Sequence, residues 1–493
     1  MPPNGTSKPL KLQFGLVNHE SQYLTAETFG FKVNASATTM KKKQLWTLEH
    51  GDQEGNVVFL RSSLGRYLST NKDGDVNCEL EVPNNSCRFL LIAQSDGRWA
   101  LQSEPFLRFL GGSSDRVTCF AQTSGEAELW AIHLAHHPQA SLLSASRKRY
   151  ARLSASETEI SFISNIPWGV GSLITLVFMA GKYCLKTCDN RFLSSSGNLV
   201  NEFGPDTEYT LVLRSSMLAF KDNDGKYLTP TGPTGTLKSG KCTKPAKDEL
   251  FDLEESRPQV VFVGANKRFV STRQGVSISA NQDEETDLET FQMEIDQESK
   301  KYMFRTKDGN YWELVSHGGL QSTATEIGIN TMFEIEWRGH RIAMKASNGK
   351  YVCTKKNGQL HAVSDTVGED ELFVMKLINR PILILRGENG FVCHHKTSNT
   401  LDNNRSVYDI FWLLFSDGAY HIKSGNGKYW FINTNTDTVG ADGDNPEEFF
   451  LEFLEHGRMG IKSKGSGKYV RSDQGGTIKC DVTSPDITCL WEF

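Results

Sequence analysis

A chain of 493 residues, 38% of them apolar, is too long for one small domain, and no window approaches 18 uninterrupted apolar residues, so no membrane span is expected. Lys and Arg number 54 against 59 Asp and Glu, and a net charge of −5 excludes a global field that gathers acidic partners; local basic patches must do that. Ten scattered cysteines without a CxxC pair argue against a disulfide or zinc framework and for free thiols in a reducing compartment.

In chain order, the opening "MPPNGTSKPLKLQFG" has no apolar stretch or cleavage pattern and is not expected to be a secretory signal. A short phrase then recurs, a turn residue and a basic or polar residue leading into an aromatic. Its aromatics are Tyr23, Tyr67, Phe109, Tyr150, Phe192, Tyr227, Phe269, Tyr311, Tyr351, Phe391, Tyr429 and Tyr469. Eleven intervals over 446 residues give about 40.5 residues per copy, the period of a repeat architecture. A second marker follows the phrase by about 20 residues, at Trp46, Trp130, Tyr209, Phe251, Phe291, Phe333, Phe373, Phe449 and Trp491, in strings that alternate as half-buried strands do. Asx-Gly pairs from Asp73-Gly74 to Asn426-Gly427 are placed for two-residue hairpin loops, and no long stretch keeps a helical period.

Four strands per copy could make a propeller blade, but twelve blades are too many and no Trp-Asp signature recurs. Apolar openings at Leu10, Gln139, Gln259 and Arg380 precede every third copy, about 120 residues apart. The predicted fold is therefore all-β, four tandem β-trefoil domains at 1–138, 139–258, 259–379 and 380–493. The phrase is expected to start a strand, its aromatic filling the barrel and its basic residue pointing to solvent.

Function is sought where the repeat is broken. "KVNASATTMKKKQLW" carries Lys41, Lys42 and Lys43 after a run of small and hydroxyl residues. Further basic spots lie at Arg147 to Arg149, at Lys238, Lys241, Lys244 and Lys247, at Lys355 and Lys356, and at His394, His395 and Lys396. By itself a basic triplet is usually solvated surface. No nucleophile elbow, P-loop or HExxH motif is present, and adjacent histidines in strands face opposite ways, so neither an enzyme nor a metal or other cofactor is expected. A carbohydrate-binding trefoil is the alternative, but its Gln-x-Trp signature occurs once, at Gln44-Leu45-Trp46.

"FGLVN…YLTAETFGFKVNASATTMKKKQLWTLE" resembles the N-terminal signature of the fascin family of actin-bundling proteins, and "ANQDEETDLETFQMEID", "ASNGKYVCTKKNGQL" and "KLINRPILILRGENGF" resemble it too; "FVCHHK" and "SVYDIFWLLFSDGAY" look most like its retinal branch. The resemblance implies a compact monomer that cross-links parallel actin filaments, with filamentous actin as partner and neither nucleic acid binding nor membrane insertion. It implies a place in the cytoplasm on the actin cytoskeleton, in projections such as stereocilia or photoreceptor segments. One implied actin-binding surface joins the first and last trefoils through Lys41, Lys43, Lys355, Lys396 and Arg471. A second uses Arg98, Arg108, Arg214, Lys247 and Arg268. The chain departs from the family at Gln22, His395, Leu107 and Val212. The implied phosphorylation switch falls on Thr39, just before the lysine triplet, with Ser36 and Thr38 beside it.

Overall fold

The computed structural model describes residues 12–51, 57–113, 115–214, 216–395 and 397–493. Among them are forty-nine short strands and ten single 3-10 turns, with no α-helix. Four lobes arise because an opening strand pairs antiparallel with a strand more than 100 residues later. Phe14–Val17 pairs with Leu129–Leu134, Gln139–Ser144 with Phe251–Glu255, Gln259–Val263 with Val374–Leu377, and Arg386–Gly387 with Trp491–Glu492. Three hairpins meet over one end of each barrel. In the third lobe their tips are joined by the bridges Ser277–Gln321, Ser279–Gln359 and Gly319–His361. Each lobe is a β-trefoil.

Ten of the twelve phrase aromatics are the first residue of a strand; Tyr227 precedes one and Phe391 follows the first residue of another. The expectation that the aromatic fills the barrel is overturned. The buried barrel positions belong to the next residue: Leu24, Leu68, Leu110, Ala151, Leu193, Leu228, Val270, Trp312, Val352, Val392, Trp430 and Val470. Side chains alternate faces along a strand, so a shift of one residue reverses the assignment. The aromatic lies on the outer side of the barrel wall, where tyrosine can bury its ring and still place its hydroxyl. Tyr67, Tyr150 and Tyr469 donate to Glu49, Glu254 and Glu452 at 2.8, 2.8 and 2.5 Å. Ten of the twelve also mark a register shift in their hairpin. Such a bulge bends the strand, here from the barrel into the cap.

The second markers are buried in the barrels, and some bond to the phrase itself. Trp46 Nε1 donates to the Leu24 carbonyl, Trp130 to Leu110 and Trp491 to Val470, at 2.9, 3.0 and 3.0 Å. The expected two-residue hairpin loop holds at Asp417-Gly418, where Ser416 faces Ala419 and both loop residues have positive φ. In the other Asx-Gly pairs only the glycine does, the pattern of a turn followed by a glycine bulge.

The lobes are packed, not strung. The third and fourth share one continuous apolar core. A side chain added at Gly97 would strike Thr210 of the second lobe, and one added at Gly418 would strike the His340 carbonyl of the third. Gln139, first residue of the second barrel, donates to the Ile382 carbonyl and accepts from the Ile384 N–H of the fourth. Arg386 of the fourth lobe bonds the Ala135 carbonyl at 2.7 Å while holding Glu492 through both carboxylate oxygens. Trp168 of the second donates to the Asp287 carbonyl of the third at 3.3 Å.

Candidate basic surfaces

The lysine triplet begins four residues after the strand Val33–Ala37 ends. Lys42–Gln44 form a 3-10 turn, and Gln44, buried, accepts the Lys41 N–H at 2.9 Å and donates to Thr25 Oγ1 at 3.0 Å. Gln44 and Trp46, two residues of the single lectin-like signature, are thus both spent inside the lobe. With Gln44 anchored inward, the three lysines are left outward and exposed. Lys43 pairs with Glu27 at 2.8 Å. Lys41 Nζ reaches the fourth lobe and donates to Asn389 Oδ1 at 3.2 Å. Asn389 in turn donates to Ser472 Oγ at 3.1 Å, beside Arg471. The structure therefore brings Lys41, Lys43 and Arg471 to one boundary between the first and fourth lobes.

Arg471 is not a loose cation. Its guanidinium grips Asp481 through two bonds of 2.6 and 2.7 Å, each side chain about a quarter exposed. This bond lowers the Asp481 carboxyl below its usual range and raises the guanidinium. Lys355, the member of the first set that falls within 259–379, is on neither the first nor the last lobe. It lies in the third lobe, in the turn after Tyr351–Thr354, where its N–H donates to the Gln359 carbonyl at 2.9 Å and Gln359 bridges Ser279. Lys396 lies outside the described residues. His395 Nδ1 meets Ser398 Oγ at 2.9 Å. Thr39 is half-buried in the bend before the triplet, while Ser36 and Thr38 are exposed.

The second expected set is spread over three lobes. Arg98 is held by Asp96 at 2.8 Å and by Glu126 at 2.6 Å, and those bonds raise its pKa. The Asp96 carbonyl accepts Thr210 Oγ1 at 3.0 Å, which seats Arg98 beside the strand Thr210–Arg214 of the second lobe. Arg214 donates to the Pro245 carbonyl, and Lys247, exposed, opens the 3-10 turn Lys247–Glu249 that follows. Arg108 lies over the Phe120 ring at 5.5 Å and bonds its carbonyl. Arg268 meets Asp283 at 3.3 Å in the third lobe. Val212 is half-buried, and Leu107 is exposed with φ of 54°.

Arg268 shares a pattern that the repeat hides. The basic residue before a phrase aromatic pairs with an acid 15 or 16 residues on, across its hairpin: Arg66 with Glu81, Arg268 with Asp283, Lys350 with Asp365 and Lys428 with Asp444. That spacing is present in the sequence and distinguishes repeat-bound charges from the triplet. Asn389 leaves no such signal, because it meets Lys41 348 residues away.

Among the described residues no cluster of histidine, cysteine or acidic side chains is placed to hold a metal ion. All ten cysteines are free, and nine are buried. No helix among the described residues is long and apolar enough to cross a membrane.

The family description Fascin domain matches residues 20–132, 140–253, 265–375 and 388–493. Fascin-2 of Bos taurus is 58% identical over 494 residues, covering 100% of both chains, and Fascin-2 of Homo sapiens is also 58% identical over 100% of both. Fascin of Strongylocentrotus purpuratus is 33% identical, covering 98% of this chain and 99% of its own.

Proposed function

The chain belongs to the fascin family of actin-bundling proteins, and we propose that it draws parallel filaments together as a rigid monomer with two separate basic surfaces. It binds and bundles actin filaments. A monomer that bundles must grip two filaments at a fixed relative orientation, and four trefoils divided near residues 138, 258 and 379 supply that only if they do not flex.

The single observation that carries this reading is the Lys41–Asn389 bond, which ties the lysine triplet of the first lobe to the fourth. The first filament surface is then Lys41, Lys43 and Arg471, extended by Lys396 and, on the third lobe, by Lys355. The second centres on Arg98 and Arg214 at the junction of the first two lobes, with Arg108, Lys247 and Arg268 around it. Exposed ion pairs contribute about 0–1 kcal/mol each, so affinity comes from their number and from repetition along the filament. Thr39 is the modification switch of the first surface. The protein works on the cytoplasmic actin cytoskeleton, in projections such as stereocilia or photoreceptor segments.

Low-speed sedimentation of filaments tests this reading. The Lys41→Ala/Lys43→Ala variant should keep its melting temperature and leave filaments in the supernatant. A pellet equal to that of the parent protein would remove the triplet from the filament surface.

A further inference from the structure

We infer that Phe29 is an apolar anchor that seats the first surface in a hydrophobic depression of the actin filament. The inference rests on the proposed actin surface around the lysine triplet and adds the kind of contact which that surface lacks.

Phe29 is 87% exposed, the most of the large apolar side chains among the described residues. It stands at the tip of the hairpin formed by Tyr23–Ala26 and Val33–Ala37, in a loop closed by the Glu27 N–H on the Lys32 carbonyl at 2.9 Å. The next two residues, Gly30 and Phe31, both have positive φ, 68° and 52°. Glycine takes this conformation freely; a phenylalanine does so only at a cost. Such a backbone persists where its surroundings over-determine it.

Those surroundings are visible here. The Arg66 guanidinium lies 4.5 Å over the Phe31 ring, and the Phe31 carbonyl accepts the Cys78 N–H at 2.9 Å. Lys32 bridges to Asn77 on the next hairpin. At the loop's base Glu27 accepts from Asn34 at 3.0 Å and from Lys43 at 2.8 Å. Phe31 turns back onto the lobe and fixes the loop, while Phe29 faces out.

The bond from Glu27 to Lys43 places this tip on the same edge as the triplet. Lys32 is exposed in the loop, and Lys41, Lys42 and Lys43 are exposed on the adjoining triplet; Glu27 at the loop base is already matched by Lys43. An apolar tip within a basic rim fits a partner with an apolar depression inside an acidic rim. Of the partners open to the proposed function, the acidic filament is the one whose charge matches. Aromatic anchors carry most of the energy of such interfaces, and rim charges set orientation and rate. Phe120, at 65% exposure, is the next most exposed aromatic among the described residues, but Arg108 covers its ring.

The experiment compares parent, Phe29→Ala, Phe29→Leu and Lys41→Ala/Lys43→Ala by high-speed co-sedimentation with filaments at low and moderate salt. Phe29→Ala should weaken binding about tenfold at both salts, because an apolar contact is not screened. Phe29→Leu should recover most of the loss. The lysine variant should weaken binding chiefly at low salt and flatten the salt dependence. Unchanged melting temperatures confirm that the lobes are intact. If Phe29→Ala binds like the parent while the lysine variant does not, the anchor is overturned and the surface stands. If both bind like the parent, the surface reading falls and takes the anchor with it.

Discussion

The Leu134 backbone N–H donates to Tyr183 Oη at 2.7 Å, from the closing strand of the first lobe to a fully buried tyrosine of the second. The same contact recurs 243 residues on, where the Leu377 N–H of the third lobe donates to Tyr420 Oη of the fourth at 2.8 Å. Burial raises the pKa of both hydroxyls, so each stays protonated. The chain thus contains two lobe pairs built on one plan. Contacts from Gln139 and Arg386 fasten the first pair to the second.

Replacing either tyrosine by phenylalanine leaves a buried N–H without its acceptor, at a cost of about 1–3 kcal/mol. Tyr183 also donates to the Ile132 carbonyl at 3.2 Å, so Tyr183→Phe should be the more damaging of the two. Urea titration of both variants checks the order. Equal stability to the parent would mean that water serves the freed groups and that these contacts do not fix the lobes.

The twelve-copy count and the strand starts were legible because β-trefoil hairpins repeat the same turn, bulge and barrel residue at nearly constant spacing. The face of the aromatic was not. "GKYV" carries two apolar residues in succession, and pattern alone does not say which one enters the barrel; Tyr469 took a glutamate partner and Val470 the core. The sites were legible to the extent that the lysine triplet breaks the repeat. Their pairing was not, since Arg471 finds Asp481 across a hairpin and Lys41 finds Asn389 across a lobe boundary. Lys355 sits on the third lobe, its hairpin built into that lobe's cap, and the repeat pattern alone does not say which neighbouring surface it faces.

The first lobe pair should loosen in acid, both between its own two lobes at His133 and against the fourth lobe at His137. His133 stacks on Phe178 at 4.2 Å and hydrogen-bonds Tyr23 Oη, and burial pushes its imidazole down to about 3. His137 takes the Gln139 N–H at Nδ1 and meets the Ile384 carbonyl at Nε2; burial, outweighing the attraction of Glu492, pushes it down to about 4. Both folded values lie below the unfolded value of about 6.5, so the unfolded chain binds protons that the folded one refuses. Stability is therefore fully present above pH 6.5 and is lost as pH falls toward 4. The slope is about 1.4 kcal/mol per pH unit for each histidine. Urea midpoints at pH 7 and pH 5 measure it. His137→Gln, which keeps a donor and an acceptor, should remove about half of the difference; an unaltered slope would assign the loss to other groups.

Arg471 offers a test of whether a paired cation can still serve a filament. Asp481 holds its guanidinium and neutralises the charge beside Lys41. Asp481→Asn keeps the side-chain shape and removes that charge, so filament binding should strengthen at low salt and by less at moderate salt. The same variant should lose the acid sensitivity that a depressed carboxyl brings, which appears as pH falls below about 4. Binding unchanged at low salt would take Arg471 off the surface, leaving it as a hairpin brace.

A phosphate on Thr39 adds about −1.5 to −2 charges two residues from Lys41. It would compete with Asn389 for the Lys41 ammonium, because a phosphate adds the Coulomb attraction of a full opposite charge to the hydrogen bond that a neutral amide also offers. Two consequences separate from each other. The patch loses net positive charge, which lowers filament affinity in a salt-dependent way. The bond between the first and fourth lobes is also lost, which lowers bundling beyond what affinity explains. Thr39→Asp should therefore reduce low-speed pelleting more than high-speed binding, whereas Asn389→Ala, which breaks the lobe bond without adding charge, should reduce bundling alone. A Thr39→Asp protein that bundles as the parent does would show that the switch does not act at this residue.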